Sequence, residues 1–313
     1  PRLKGESTMA DLKSRVSGIT FPNPVLTAAG PNVGTSARLL EAARGGAGGI
    51  VTKTVSVVPA KDPRPTIRKG PCGGLINCET WSEMPAEECL EGYRAVKRAG
   101  LPLILSIGYS PEDVKTVGRL LEREADPDAF EFSTHYTGRS PEPLLETARA
   151  LRGAVEKPIW MKLSPGTSGI SELAAKASEF VDGFVAMNSL GPALDFDPEL
   201  ARPALGSSWG QGWLSGPALL PFALGMVFQV SSAQKKPVIG AGGISSGVDA
   251  VKFIMAGASL VQVCTAAILE GAFAYGRIAS ELDKWLSDHG FASPEEIRGL
   301  YGRNAAKRSR TMD

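Results

Sequence analysis

Two lysines offer the first chemical argument in this chain. Lys53 lies in Thr52-Lys53-Thr54 and Lys162 in Met161-Lys162-Leu163-Ser164-Pro165, each closing a short apolar run of strand length. An ammonium group inside a strand is costly unless it meets an anion. One reading is a lysine snorkelling at the mouth of a barrel. The other is a fixed cation beside a cofactor that gains negative charge. A two-electron reduced flavin is such a cofactor, with charge near N1 and O2, and a nearby ammonium raises its potential. Asn77 and Asn188 form a second pair. Asn188-Ser189 ends another strand-like run, and Asn77 falls in a long loop. An amide both donates and accepts, which suits a ring bearing carbonyl and N–H groups; a turn or a cap would use it as well.

A third feature lies near the end of the chain. Pro237-Val238-Ile239-Gly240-Ala241-Gly242-Gly243-Ile244 and Leu260-Val261-Gln262-Val263-Cys264-Thr265-Ala266 are apolar runs that stop at small residues. The segment between them, 247–256, reads as a helix. This is the pattern of the seventh and eighth strands of a (β/α)8 barrel, after which backbone amides often cradle a phosphate. Gly242 and Gly243 would let the backbone approach that anion.

The elements that must position these residues alternate along the whole chain. Strands are expected at 25–29, 49–55, 103–107, 129–133, 158–163, 183–188, 237–241 and 260–264. Helices are expected at 36–44, 86–99, 112–124, 142–155, 171–180, 218–233, 248–255 and 273–289, where apolar residues recur at three and four spacing. Ser293-Pro294-Glu295-Glu296 reads as the cap and first turn of a short further helix, and the basic stretch 303–310 as a solvated helix. The order predicts an α/β fold, a (β/α)8 TIM barrel with long loop insertions at its C-terminal face. No GxGxxG follows a first strand, which argues against a dinucleotide-binding sheet. The insertions are 56–85 and 191–216, both rich in glycine and proline, and such loops form lids and ligand walls.

Bulk properties narrow the class. The 313 residues carry 34 basic and 33 acidic side chains, a net charge of +1, and are 43% hydrophobic. That balance favours neither nucleic acid nor a membrane surface as partner. No apolar run reaches the roughly 18 residues of a spanning helix. Residues 1–8 precede Met9 and read as a cloning remnant, leaving 9–313 as one domain. Cys72, Cys78, Cys89 and Cys264 show no CxxC pairing, so free thiols in a reducing cytoplasm are expected rather than disulfides, and their spacing does not converge on an iron–sulfur cluster. No metal site is expected.

Taken together and in order, eight short motifs resemble the FMN-binding barrel of the dihydroorotate dehydrogenase family, and especially the corresponding domain of dihydropyrimidine dehydrogenases. They are Asn23-Pro24-Val25 with Ala28-Ala29-Gly30, Thr52-Lys53-Thr54, Leu75-Ile76-Asn77, Met161-Lys162-Leu163-Ser164-Pro165, Asn188-Ser189, Leu214-Ser215-Gly216-Pro217-Ala218, Gly240-Ala241-Gly242-Gly243-Ile244 and Val263-Cys264-Thr265-Ala266. The resemblance implies FMN across the barrel mouth. Gly216, Gly242, Gly243, Thr265 and Ala266 would hold its phosphate end, and Ala29 and Gly30 would pass beneath the ring. Lys53, Thr54, Lys162 and Asn188 would complete the cofactor site, while Asn77, Asn188 and Ser189 would face a small cyclic substrate.

One departure stands out. The family's fourth strand runs into Asn-Leu-Ser-Cys-Pro, or has serine for the cysteine, and that residue exchanges a proton with substrate. Here the stretch reads Glu131-Phe132-Ser133-Thr134-His135-Tyr136. Ser133 replaces the asparagine, Tyr136 stands at the catalytic position and His135 adjoins it. His135, Tyr136 and Ser133 are therefore the catalytic candidates. Imidazole, with an ordinary pKa near ~6.5, suits proton transfer at neutral pH, whereas a phenol near ~10 is the better pure acid. The expected activity is FMN-dependent oxidoreduction of a C–C bond conjugated to a carbonyl, with hydride passing through flavin N5. Two alternatives stand beside it: a dihydropyrimidine or dihydroorotate dehydrogenase with an unusual acid, and a non-catalytic flavin electron-transfer subunit. Electrons would come from a small molecule or from a separate protein, iron–sulfur or NAD(P)H-linked; a homodimer is left open.

Overall fold

The computed structural model describes residues 9–133 and 140–309. Among these, eight strands form a parallel sheet: β1 (Val25–Thr27), β2 (Ile50–Val51), β3 (Leu103–Ile107), β4 (Ala129–Ser133), β5 (Ile159–Leu163), β6 (Gly183–Ala186), β7 (Val238–Ala241) and β8 (Ala258–Val263). Their spatial order is 1-8-7-6-5-4-3-2. A parallel bridge between Leu26 and Gly49 joins the two ends, so the sheet closes on itself. At this seam β2 is short, and a side chain assists. The Thr27 hydroxyl donates to Val51 O and accepts from Val51 N, both at 2.7 Å. The fold is the expected (β/α)8 TIM barrel.

Period-two alternation sorts each strand's residues between two cores. On β5, Ile159, Met161 and Leu163 pack outward against the helical layer, while Trp160 points into the barrel. Trp160 joins Phe21, Leu26, Ile104, Ala129, Val185, Ile239 and Leu260 in an apolar plug. An antiparallel hairpin, Ser14–Val16 with Ile19–Phe21, seals the bottom. Its turn is Ser17-Gly18, both at positive φ, which suits a two-residue hairpin. Phe21 meets the Trp160 ring at 6.2 Å between centroids, and the indole N–H donates to Ser17 Oγ. The next inward layer up is polar, and the site begins there.

The outer helices are α1 (Ser36–Arg44), α2 (Ala86–Arg98), α3 (Pro111–Ala125), α4 (Glu142–Arg152), α5 (Ile170–Ala177), α6 (Leu220–Ala233), α7 (Gly247–Ala256), α8 (Thr265–Glu270) and α9 (Ala274–Asp288), followed by α10 (Pro294–Ile297) and α11 (Leu300–Ser309). Capping boxes open α3 (Ser110 with Asp113) and α7 (Ser246 with Asp249). Among the described residues no helix is long and apolar enough to cross a membrane.

Three expectations are corrected. The second strand is two residues rather than seven, because Lys53 N turns to Val33 O and the segment forms a further bridge to β3 only at Val55–Ile107. The helix expected from 218 begins at Leu220, after a 3-10 turn, Pro217–Leu219. A six-residue helix, α8, follows the eighth strand where none was assigned; it is too short to show periodicity. The two insertions are not independent loops either. Ile67–Lys69 and Leu75–Asn77 come from the first, Leu190–Leu194 and Gln211–Ser215 from the start and end of the second, and the four strands join in one antiparallel sheet. This cap stands over the C-terminal mouth of the barrel.

Candidate active site

Between barrel mouth and cap lies an open cleft lined by residues of both. Eleven of the residues singled out by sequence line it: Ala29, Gly30, Lys53, Asn77, Lys162, Asn188, Ser189, Gly216, Gly242, Gly243 and Thr265. Three do not. Thr54 turns its hydroxyl to Ser106, 2.8 Å away, in a buried pair. Ala266 is buried as the second residue of α8. Ser133 is buried behind the lining, where its Oγ accepts from Asn188 Nδ2 at 2.9 Å. His135 and Tyr136 lie outside the described residues.

Strand geometry explains the polar floor. Glu131 and Ser133 on β4 point inward with Trp160 and Lys162 on β5, and the register sets Ser133 opposite Lys162. Gln262 on β8 enters the same space. Lys162 Nζ donates to Glu131 Oε1 at 3.2 Å and to Gln262 Oε1 at 3.1 Å, and Gln262 Nε2 donates to Glu131 Oε2 at 2.6 Å. Lys162 is therefore no isolated cation at the mouth: it is ion-paired, its side chain 6% exposed and that of Glu131 not at all.

Lys53 is paired too, but from above. Its Nζ meets Glu79 Oε2 at 3.0 Å, with side-chain exposures of 11% and 17%. Glu79 follows the cap strand Leu75–Asn77, so the cap supplies the counter-charge. Asn77 Nδ2 donates to Trp213 O across that sheet, and Asn188 Oδ1 accepts from Ser189 N at 2.8 Å. Among the described residues, the charged side chains lining the cleft are Lys53, Glu79 and Lys162.

One corner of the cleft is bare backbone. Gly216, Gly242 and Gly243 all have positive φ. A Cβ on Gly216 would come within 2.6 Å of Gly74 Cα, and one on Gly243 within 2.7 Å of Leu220 N. Thr265 Oγ1 stands beside this corner, bonded to Ser215 Oγ at 3.0 Å. Also on the lining, a Cβ on Gly30 would strike Cys264 Sγ at 2.4 Å. Cys264 touches the Asn32 amide, which donates to the Tyr275 hydroxyl at 2.8 Å. Desolvation pushes the Cys264 thiol up to about 11, against the opposing pull of the Lys162 and Lys53 charges. Burial likewise raises the Tyr275 phenol. A glycine corner without side chains, a flat small-residue edge and a cationic floor fit the phosphate and ring of FMN.

Sequence reading missed Glu79, Glu131, Gln262 and Cys264 as site residues. For Glu131 and Gln262 a signal existed: each lies an even number of residues from other inward positions on its strand. For Glu79 there was none, because its place depends on how the cap folds.

The sequence profile of the family described as dihydroorotate dehydrogenase matches residues 11–286. The chain belongs to the dihydroorotate dehydrogenase family. It is an FMN-dependent oxidoreductase of that family, acting on CH–CH groups. Similar curated proteins are dihydroorotate dehydrogenase B (NAD(+)) catalytic subunits. The one from Pyrococcus furiosus is 37% identical over 300 residues, covering 92% of this chain and 98% of its own length. Those from Pyrococcus abyssi and Geobacter sulfurreducens are each 36% identical, covering 92% of this chain and 98% and 97% of their own lengths.

Proposed function

We propose that this family member acts on an uncharged ring, oxidising or reducing a C–C bond conjugated to a carbonyl, rather than on a ring bearing a carboxylate. The carrying observation is the Lys53–Glu79 pair. An anionic substrate entering the cleft would meet the Glu79 carboxylate, and both lysines lining the described wall are already paired. Like charges brought together in a desolvated site cost several kcal/mol. A neutral ring avoids that cost and can use the amides of Asn77 and Asn188 with Ser189.

In this reading Gly216, Gly242, Gly243 and Thr265 hold the FMN phosphate, with Ala266 supporting Thr265 from within α8. Ala29 and Gly30 pass beneath the ring, where the missing Cβ of Gly30 gives it room. Lys162 supplies positive charge at the floor, and Lys53 reaches the cofactor or the substrate edge. Thr54, bonded to Ser106, supports its strand instead. Bound FMN supplies the hydride chemistry. The proton is assigned to His135 or Tyr136, since Ser133 is engaged with Asn188 and is too weak an acid alone. That the relatives are catalytic subunits of a dihydroorotate dehydrogenase B (NAD(+)) supports a separate NAD-linked electron-transfer subunit as partner. The four free cysteines accord with a cytoplasmic setting.

The test has two steps. Purified protein should be yellow and release FMN on denaturation. Under anaerobic conditions, neutral dihydropyrimidines and cyclic enones should bleach or reoxidise the flavin at least about tenfold faster than dihydroorotate or orotate do. Efficient bleaching by dihydroorotate would refute the uncharged substrate.

A further inference from the structure

Just below the cleft three polar side chains close on one another. Glu131 is fully buried and does not line the cleft. It accepts from Lys162 Nζ with one carboxylate oxygen and from Gln262 Nε2 with the other, while Lys162 also donates to Gln262 Oε1. Two of the three donors of the ammonium are committed below. Lys162 itself lines the cleft above.

This arrangement is expensive. Desolvating a carboxylate costs several kcal/mol, and a buried pair often returns no more than a hydrophobic replacement would. The layer directly beneath is apolar, with Trp160, Ile104 and Leu260, so a leucine at position 131 would suit its surroundings. The carboxylate instead sets a full negative charge directly behind the cation of the floor. In an interior of low effective dielectric, charges a few ångströms apart act strongly on one another and on whatever lies in the cleft. The other charged groups near the cleft, Lys53 and Glu79, are a separate pair on its cap side.

We propose that Glu131 is a positioning residue. With Gln262 it fixes the Lys162 ammonium at the cleft floor and offsets its charge, so bound FMN is harder to reduce than Lys162 alone would make it. The proposal rests on FMN lying against Lys162, which Lys162→Ala tests separately.

The experiment is a reductive titration of the FMN-loaded protein against dyes of known potential. Glu131→Gln keeps the shape and removes the charge. It should raise the ratio of reduced to oxidised flavin at a fixed potential by at least about tenfold, which is about 30 mV for a two-electron couple. Glu131→Asp restores the charge and should recover most of that shift. A Glu131→Gln protein that holds FMN at the wild-type potential overturns the proposal. If this variant does not fold, Glu131→Gln combined with Lys162→Met removes both charges and leaves neither uncompensated. Its ratio should stay within about tenfold of wild type. A larger fall would show that Lys162 acts unopposed, and would overturn the proposal equally. A Lys162→Ala protein of unchanged potential removes the placement of the cofactor, and the proposal falls with it.

Discussion

The floor and the rim of the cleft each hold one lysine–carboxylate pair, and the two are built differently. At the floor, Lys162 and Glu131 come from adjacent barrel strands, and the strand register fixes their relation without help from any loop. At the rim, Lys53 lies two residues beyond β2 while Glu79 arrives from the cap, 26 residues later. The floor pair is almost wholly enclosed; the rim pair keeps some contact with solvent. On the proposed reading, barrel strands set what acts on the cofactor, and loops set what the substrate meets. One fold can keep its redox chemistry while changing its substrate, because the two tasks sit on elements of different rigidity.

The largest expected effect separates rim from floor. His135→Asn and Tyr136→Phe alter residues that follow β4 in sequence. At least one should slow turnover by roughly 10²–10⁴-fold, with FMN bound at an unchanged potential. Wild-type turnover in both would place the proton donor elsewhere. Next comes Lys162→Ala. Loss of the floor cation should lower the flavin potential by the equivalent of about 1–3 kcal/mol, and leave the buried Glu131 charge with the Gln262 amide but no counter-charge, at a cost of about 3–5 kcal/mol in stability. Potentiometry and denaturant unfolding measure the two effects. Smaller again is Glu79→Gln at the rim. Freeing Lys53 from its counter-charge should improve flavin reduction by dihydroorotate by roughly tenfold, while the loss of unfolding stability stays below that of Lys162→Ala, because the rim pair keeps more contact with solvent. Stopped-flow reduction rates that stay the same would show that the rim pair does not select against anions.

The smallest effect concerns Cys264, whose thiol feels the charges of both Lys162 and Lys53. Its thiol is held up to about 11 by desolvation, against an ordinary 9.0. The folded state thus favours the protonated thiol. That contribution is complete below about pH 9 and is lost as the pH climbs toward 11. Denaturant unfolding at pH 8.5 and 10.5 should show a fall that is larger by about 1–2 kcal/mol in the wild type than in Cys264→Ala, which keeps the fall due to the buried phenols. Equal falls in the two proteins would contradict the shifted thiol.

Much of this molecule is legible in its sequence. The eight strands announce themselves as apolar runs of the right length, and α1, expected at 36–44, forms over those residues. Gly216, Gly242 and Gly243 mark the bare corner of the cleft because only glycine accepts positive φ where a Cβ would collide. Lys53 and Lys162 are visible as charges at strand ends. These signals are local: each depends on period, length or backbone freedom within a few residues. What the sequence leaves undecided is pairing. That Lys162 meets both Glu131 and Gln262 follows from strands 100 residues apart closing into a barrel. That Lys53 meets Glu79, and that the two long insertions weave into one sheet, follows from the cap settling over the mouth. Charge neutralisation falls off within a few ångströms, so only the tertiary structure decides whether a lysine remains a free cation or becomes half of a pair.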